Sequence, residues 1–465
     1  MIYEQLFAQV AEPEVVRAGF IGCGAFSTPM ITQARIVPRL DVPIVADVDV
    51  EAGKAAFTRA GIPEDEIEVC ASESAALRGM EQGHKIVVQD AGILMDLPLH
   101  VIVTATRVPE AAARYGAQAI DHGKHLVMID KEAESVIGPI LKHRADRAGV
   151  VFTTDFGDQP GVLMGLVSWA RSLGFEVLCA GNVRGYRYDP QTGILRKRFD
   201  RSVRVPEADR WAFARIPPGE AERYVAVRQR VAEPFSTDEE CGDPICHMVI
   251  AANGTGLLPD TPVGHRPALW WHDYPEALRP QEEGGILRNR GVMDETYLLQ
   301  TPDAPSPAAS IFVTVANDDD VSRRQMAQGL IANRRGSAML ITRPFHLGGA
   351  EANLSILCAG LLGVGASADV RPRVDAVART ARPMHAGEVI GSSPGTLGWD
   401  HSVRAAMIPA TPLGETNPVP FFMLAGNRLV KDVPPDTVIT LNMIEEPEAS
   451  ALWALRREQD DVFLR

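Results

Sequence analysis

The amino-acid sequence predicts an α/β fold whose first part is a doubly wound parallel sheet. Three observations carry this prediction: a glycine-rich turn inside residues 16–36, an acid 25 residues after the first glycine of that turn, and alternating strand and helix patterns up to about residue 155. With 465 residues the chain is too long for one hydrophobic core, so two or three domains are expected.

The composition is that of a globular protein and excludes several classes of function. Hydrophobic residues make up 46% of the chain, but no apolar run reaches the roughly 18–20 residues of a membrane span. The formal net charge of −14 argues against nucleic acid as a partner, because binding phosphates requires a basic face. The acidic start, Met1-Ile-Tyr-Glu4, is unlike a secretory signal. We therefore expect a cytoplasmic protein that binds neither membranes nor nucleic acid.

The glycine-rich turn lies between an apolar strand at 16–21 and a helical pattern at 25–36. Its first glycine permits a tight turn, and its second leaves no Cβ between the backbone and a bound pyrophosphate, which the helix N-terminus attracts. A serine, Ser27, stands where the third glycine of such motifs is usual, and a small residue is enough there. The predicted cofactor-binding residues of the turn are Gly22, Cys23, Gly24, Ala25 and Phe26.

The second apolar run, residues 42–46, ends at Asp47. An acid at this distance from the turn accepts hydrogen bonds from the adenosine ribose hydroxyls and repels a 2′-phosphate. The sequence therefore favours NAD over NADP as cofactor.

The alternation continues to residue 153 and supports the glycine motif. A helix at 51–60 and a polar excursion lead to a buried strand at 99–103, and the loop after it carries Thr104, Ala105 and Thr106, which we expect beside the nicotinamide ribose. Further elements are predicted for a helix at 109–122, a strand at 125–129, a helix at 132–148 and a strand at 150–153. This pattern indicates a Rossmann domain.

Several motifs resemble one bacterial oxidoreductase family: His122-Gly-Lys-His-Leu-Val-Met-Ile-Asp-Lys-Glu-Ala133, Thr153-Thr-Asp-Phe-Gly-Asp-Gln-Pro160, Ala252-Asn-Gly-Thr-Gly-Leu257 and Arg343-Pro-Phe-His-Leu347. The family comprises homoserine-dehydrogenase-like proteins with a C-terminal SAF domain, some of which are 1-deoxy-D-xylulose 5-phosphate reductoisomerase-like enzymes. The resemblance implies a Rossmann domain at 1–155, an α/β catalytic domain that forms a homodimer at 156–370, and a β-rich SAF domain at 371–465.

The chain departs from this family around the expected substrate. Where relatives read Gly-Lys-Gly-Thr-Lys-Tyr, this chain reads Gly181-Asn-Val-Arg-Gly-Tyr186, and Cys241-Gly-Asp243 replaces Asp-Gly-Thr-Lys. Three expected lysines are absent, so the fold carries over and the reductoisomerase substrate does not.

Lys131 is the leading catalytic candidate. It follows the strand at 125–129, where the resemblance gives homoserine-dehydrogenase-like enzymes a lysine, and ligands bind at strand ends of open parallel sheets. We expect its amine to exchange a proton with a substrate hydroxyl or carbonyl oxygen, with burial lowering its pKa. The alternative is a surface lysine paired with Glu132 or Glu134.

Other polar residues are candidates for helping roles. Asp243 and His247 are four residues apart, which suits a carboxylate–imidazole pair for acid–base work or a helix-capping acid beside a structural histidine. The remaining candidates are Asp158 for catalysis, and Arg184 and His346 for substrate binding. A divalent metal near 239–247 is the less favoured alternative, because the spacing matches no defined site.

The last 90 residues contain short apolar segments separated by proline and glycine, at 374–380, 384–390, 419–424, 428–433 and 438–441. This pattern is typical of an all-β domain.

Together these features predict an NAD(P)-dependent oxidoreductase acting by hydride transfer on a small, polar, anionic hydroxy or keto substrate such as a sugar phosphate or hydroxy acid. Two alternatives stay open: a reductoisomerase-like enzyme acting on 1-deoxy-D-xylulose 5-phosphate or a related phosphate, and an NAD-binding lyase, isomerase or cofactor-binding protein without net redox chemistry.

Overall fold

A computed structural model describes residues 2–197, 201–235, 245–305, 310–317, 319–326, 331–391 and 402–465. Within these ranges no helix is both long and apolar enough to cross a lipid bilayer.

The first part of the chain forms a parallel sheet of seven strands within the described residues, in the order β3-β4-β2-β1-β5-β6-β7. The strands are β1 (Val16–Ile21), β2 (Leu40–Ala46), β3 (Ile67–Cys70), β4 (Lys85–Val88), β5 (Val101–Thr104), β6 (His125–Met128) and β7 (Phe152–Thr154). The helices are α1 (Ile2–Ala8), α2 (Ser27–Ala34), α3 (Val50–Arg59), α4 (Glu73–Glu81), α5 (Pro109–Asp121) and α6 (Lys131–Ala148).

This arrangement confirms the predicted Rossmann-type α/β fold. The strand order reverses at the border of β1 and β5, and in open parallel sheets that crevice binds ligands at the carboxyl ends of the strands. The central strands are buried on both faces, as expected when helices cover both sides. Helix α5 begins with Pro109; proline has no N–H, and the first N–H groups of a helix have no partner within the helix. Helix α6 ends at Ala148, and the next residue, Gly149, adopts the left-handed conformation that ends many helices.

The prediction of a polar excursion between residues 60 and 99 was wrong. That segment contains β3, α4 and β4, which complete one half of the sheet. Its strands are only four residues long and two of the four β3 residues are glutamate and cysteine, so the apolar signal is weak.

The second part is built on a mixed sheet of nine strands within the described residues. The strands are β8 (Val177–Asp189), β9 (Ile194–Arg196), β10 (Ser202–Arg204), β11 (Leu258–Pro259), β12 (Ala268–Leu269), β13 (Val292–Gln300), β14 (Ser310–Ala316), β15 (Ile331–Ala332) and β16 (Ala338–Arg343). The helices are α7 (Gln159–Ser172), α8 (Ala221–Ala232), α9 (Ile245–Thr255), α10 (Tyr274–Ala277), α11 (Asp320–Met326) and α12 (Gly349–Leu357).

Helices α7 and α9 pack on one face of this sheet, and α8 and α10 lie on the other. Helix α12 then returns to the first domain and packs against α2, where the Asn353 side chain donates to the Met30 carbonyl at 3.0 Å. The sequence predicts an apolar helix over 354–363 that packs back on this domain; α12 begins earlier, at Gly349.

The C-terminal region is less regular than expected. Strand β17 (Val374–Thr380) pairs with β18 (Val403–Pro409), which was not predicted. The other predicted strands contribute isolated bridges in the described structure, such as Met384 with Val433 and Leu429 with Ile444. The chain ends in a helix, α13 (Ala451–Phe463), which packs on α5 and α6 and was also missed.

Candidate active site

The glycine-rich turn follows β1 and precedes α2. Gly22 has φ of +99°, and a Cβ at this position would lie 2.3 Å from the Ala105 carbonyl oxygen, so glycine is required by the packing of the turn on the loop after β5. Gly24 is exposed, and a Cβ there would meet no atom within 4 Å. The turn is therefore closed toward the protein at Gly22 and open outward at Gly24, which fits a pyrophosphate resting on the backbone at Gly24 and Ala25.

Ser27 compensates for the missing third glycine. Its fully buried hydroxyl donates to the Gly22 carbonyl at 2.7 Å, and α2 begins at this residue. The predicted start at residue 25 was therefore two residues early. Phe26 lies against the start of α12, where a Cβ on Gly349 would come within 2.6 Å of the Phe26 carbonyl oxygen.

Asp47 lies beside the turn at the end of β2. Its carboxylate accepts from the backbone N–H of Cys23 at 2.7 Å and from that of Asp49 at 2.9 Å. These bonds hold a negative charge next to the expected ribose position.

The loop after β5 connects the turn to the start of α6. Thr104 is fully buried, whereas Ala105 and Thr106 are partly exposed. The Thr106 hydroxyl and the Arg107 N–H both donate to Asp130, at 3.0 and 2.6 Å. Burial raises the pKa of the Asp130 carboxyl to about 6, although these hydrogen bonds oppose the rise.

Lys131 is the first residue of α6, and its side chain is buried. Its ammonium donates to the Asp155 carboxylate and lies 3.9 Å from the Glu134 carboxylate. Burial alone would lower the pKa of Lys131, but the charges of Asp155, Glu134 and Asp158 together raise it above its usual value. The expectation of a lowered pKa was wrong, because carboxylates surround the ammonium group.

The two carboxylates nearest Lys131 are also buried. Burial raises the pKa of Glu134 to about 8, and it raises that of Asp155 as well, while the Lys131 charge opposes both rises. Lys131, Glu134 and Asp155 consequently form a buried group of one cation and two acids, whose protonation states depend on one another.

Asp158 caps the N-terminus of α7 and lies between two histidines. Its carboxylate is 3.6 Å from Nε2 of His247 and 3.7 Å from Nε2 of His346. The other ring nitrogen of His247 lies 3.1 Å from the Gln159 side-chain oxygen. Burial would raise the pKa of Asp158, but the charges of His247 and Lys131 lead to a net lowering, so Asp158 stays ionised.

Not every candidate joins this group. Asp243 lies outside the described residues, so its pairing with His247 remains a prediction. Arg184 lies on β8, with Nε 2.8 Å from Oε1 of the buried Glu295, and Glu295 also contacts Arg266 at 3.1 Å. In the described ranges no three histidine, cysteine or acidic side chains are arranged to hold a metal ion.

Asp155 and Gln159 were not predicted as members of the group, and Glu134 was considered only as a partner of Lys131 at the surface. Glu134 is three residues after Lys131 on a helix, so it faces the same side. Asp155 directly follows β7, whose end lies next to that of β6 in the sheet. The helical spacing of Glu134 and the position of Asp155 after β7 were both visible in the sequence.

The central part of the chain matches the family model described as the catalytic domain of oxidoreductase DRL, over residues 157–204 and 239–352. The matched ranges contain Asp158, Arg184, His247 and His346. No curated protein sequence matches the chain.

Among solved structures, the chain is similar to GenD2 from gentamicin A biosynthesis (19% identity, TM-score 0.26), myo-inositol dehydrogenase from Lactobacillus casei (16%, 0.27) and the WlbA dehydrogenase from Bordetella pertussis (15%, 0.25). The matches cover 38% of this chain and 44%, 48% and 48% of those chains. The chain thus spans less than half the length of these structures, and the likeness is too limited to support a functional argument.

Proposed function

We propose that this protein is a nicotinamide-dependent oxidoreductase that interconverts a hydroxyl and a carbonyl group on a small, polar, anionic substrate. The proposal favours NAD over NADP, because the Asp47 carboxylate lies beside the glycine turn.

The observation that carries the proposal is a continuous path of contacts from the glycine turn to the buried ammonium group. Gly22 packs on Ala105. Thr106, the residue after Ala105, donates a hydrogen bond to Asp130. Lys131 directly follows Asp130 and begins α6. Lys131, with Asp155, then lies at the carboxyl ends of β6 and β7, on the same edge of the sheet as the turn.

A bound nicotinamide would supply or accept the hydride. In the reducing direction the Lys131 ammonium donates a hydrogen bond to the substrate carbonyl oxygen and releases a proton to it as the carbon gains hydride. The amine is then reprotonated from the acid that shares its environment, and Glu134 holds a proton at neutral pH because its pKa is about 8. In the oxidising direction the steps reverse: the ionised Glu134 carboxylate first takes a proton from the Lys131 ammonium, and the amine then accepts the substrate hydroxyl proton as the carbon loses hydride.

Asp158 and its two histidines supply the second polar side of the site. The imidazoles of His247 and His346 flank the Asp158 carboxylate, and a ring N–H of either can donate to a substrate hydroxyl or acid group. This pattern suits a hydroxy acid or a sugar phosphate.

The test compares two buried lysines. Lys131→Met should bind NADH as the unmodified protein does and lose at least 100-fold in turnover. Lys124→Met is the matched control: Lys124 is buried at the opposite end of β6 and donates to the carbonyls of Leu97 and Leu99. It should keep its turnover.

The assay follows nicotinamide absorbance with a panel of hydroxy and keto acids and sugar phosphates. Tight NADH binding without any absorbance change over the panel would favour a protein without net redox chemistry. Equal turnover of the Lys131→Met and unmodified proteins would contradict the assignment of Lys131.

A further inference from the structure

The loop between β5 and α5, residues 105–108, contains a strained residue. Arg107 has φ of +57°, a left-handed conformation that a residue with a Cβ rarely adopts. Its side chain is exposed and makes no hydrogen bond or ion pair with any part of the chain that the structure describes. The side chain therefore does not impose this conformation, and its cause lies in the contacts of the backbone.

Asp130 supplies these contacts from the start of α6. One oxygen of its carboxylate, Oδ1, accepts from the Arg107 N–H at 2.6 Å and from the Thr106 hydroxyl at 3.0 Å. The oxygen of the Thr106 hydroxyl also accepts from the Val108 N–H at 3.1 Å. Three consecutive residues of the β5–α5 loop are thus held, directly or through Thr106, by one carboxylate oxygen.

Asp130 does not cap its own helix. It stands at the N-cap of α6, where an aspartate usually accepts from one of the first N–H groups of the helix, yet its side chain makes no such bond. It is also only 3% exposed, and burial is unfavourable for a carboxylate. An uncapped helix, a buried acid and a strained loop residue thus meet at one contact, and local costs of this kind concentrate at functional sites.

The position of the β5–α5 loop indicates what this contact serves. The Ala105 N–H donates to the Ile21 carbonyl at 2.8 Å, and the Ala105 carbonyl oxygen packs against Gly22. The loop therefore borders the crevice between β1 and β5, where open parallel sheets bind ligands. On the other side, Asp130 directly precedes Lys131. Asp130 thus joins the wall of the crevice to the residue that the proposed function uses for proton transfer.

We propose that Asp130 is a positioning residue for the nicotinamide ring. It holds the β5–α5 loop in the left-handed conformation at Arg107, and this sets the distance between the ring and the Lys131 amine. The inference rests on the proposed function, since it assumes that the crevice holds a nicotinamide cofactor. Asp130 acts through the loop and takes no part in the transfer of hydride or proton.

Asp130→Ser tests this assignment. Serine is too short to hold the loop but is a good N-cap, so α6 should remain folded. In the protein without cofactor, the amides of Arg107 and Val108 should exchange hydrogen about tenfold faster, as measured by mass spectrometry, because the bond to the carboxylate is lost. The affinity for NADH, measured by fluorescence titration, should fall about tenfold for the same reason. Asp130→Asn keeps an oxygen acceptor and should bind NADH nearly as the unmodified protein does.

A second substitution separates positioning from a general structural role. Glycine adopts positive φ readily, so Arg107→Gly removes the strain that Asp130 offsets. In the Arg107→Gly background, Asp130→Ser should therefore weaken NADH binding by only about threefold, which is a coupling between the two substitutions. An equal loss of affinity in both backgrounds would mean that Asp130 does not act through Arg107, and would overturn the proposal.

Asp294→Ser is the matched control. Asp294 is also buried and also accepts from the N–H of an arginine with positive φ, Arg266, but it lies on β13 of the second sheet. Its substitution should leave the NADH affinity unchanged, which separates positioning from a loss of stability. Normal NADH binding by Asp130→Ser would overturn the inference and leave the proposed function standing. If the unmodified protein bound neither NADH nor NADPH, the proposed function would fail, and the inference with it.

Discussion

The Asp158 carboxylate and the His247 imidazole lie 3.6 Å apart, although they come from the first turns of two different helices. This distance is longer than a direct hydrogen bond and short enough for strong electrostatic coupling. Asp158 also hydrogen-bonds the N–H of Gln159, whose side chain contacts the other nitrogen of the same imidazole. The histidine is therefore oriented by two consecutive residues of α7.

Replacing Asp158 with asparagine should separate its electrostatic role from its capping role. Asparagine also caps helices, so the free energy of unfolding should change by less than about 1 kcal/mol. Turnover should fall about 100-fold, because positioned acid–base groups contribute rate factors of this order. Steady-state kinetics with urea unfolding checks both. Asp49→Asn, at the cap of α3, is the control and should leave turnover unchanged.

Substitution of the two glycines of the turn should have opposite consequences. Gly22→Ala places a methyl group against the Ala105 carbonyl and imposes an unfavourable φ, so thermal unfolding should occur several degrees lower. Gly24→Ala meets no protein atom within 4 Å and should unfold like the unmodified protein. It should nevertheless bind NADH at least tenfold more weakly. Normal NADH binding by Gly24→Ala would contradict the proposed position of the pyrophosphate.

Asp47 should set the choice between the two nicotinamide cofactors. Asp47→Ser removes the negative charge that, on the proposed function, would repel a 2′-phosphate, while keeping an acceptor near the Cys23 N–H. We expect the ratio of NADH to NADPH affinities to fall at least tenfold, measured by fluorescence titration. Asp41→Ser, at an acid of the same strand that pairs with Lys85, should leave this ratio unchanged.

Glu134 should make stability depend on pH between about 4.5 and 8. Its pKa is raised to about 8 in the folded protein, so the folded state holds a proton that the unfolded state has released. Its contribution to stability is therefore full below pH 4.5 and declines as the pH rises toward 8, by about 1.4 kcal/mol per pH unit.

Glu134→Gln removes this titration. Urea unfolding of the variant and the unmodified protein over this pH range should show that the variant loses less stability as the pH rises. Parallel pH profiles for the two proteins would exclude the raised pKa.

Much of the Rossmann-type part could be predicted from the sequence because its signals are local. The turn at Gly22, the strand ends at Ala46 and Thr104, and the proline that begins α5 each depend on neighbouring residues. The short strands β3 and β4 were not predicted, because pairing within the sheet stabilises them more than their own composition does.

The candidate active-site group was only partly predictable because it is assembled from distant segments. Lys131, Asp158, His247 and His346 were each identified singly, but nothing in their spacing indicates that Asp158 contacts both histidines. The pKa of Lys131 could not be inferred either, since its sign depends on Asp155, which is 24 residues away and reached through the sheet.

The return of α12 to the first domain has a mechanical consequence. The chain leaves the Rossmann domain after β7 and re-enters it at α12, and the Phe156 N–H donates to the Ser355 hydroxyl at 2.7 Å where the two crossings meet. Helix α6 also packs on α9 of the second part, and their apolar side chains share one buried cluster. The outer sheet is therefore held to the first domain both by this packing and by the doubled chain crossing. Together they fix the distance between Lys131 at the start of α6 and Asp158 at the start of α7.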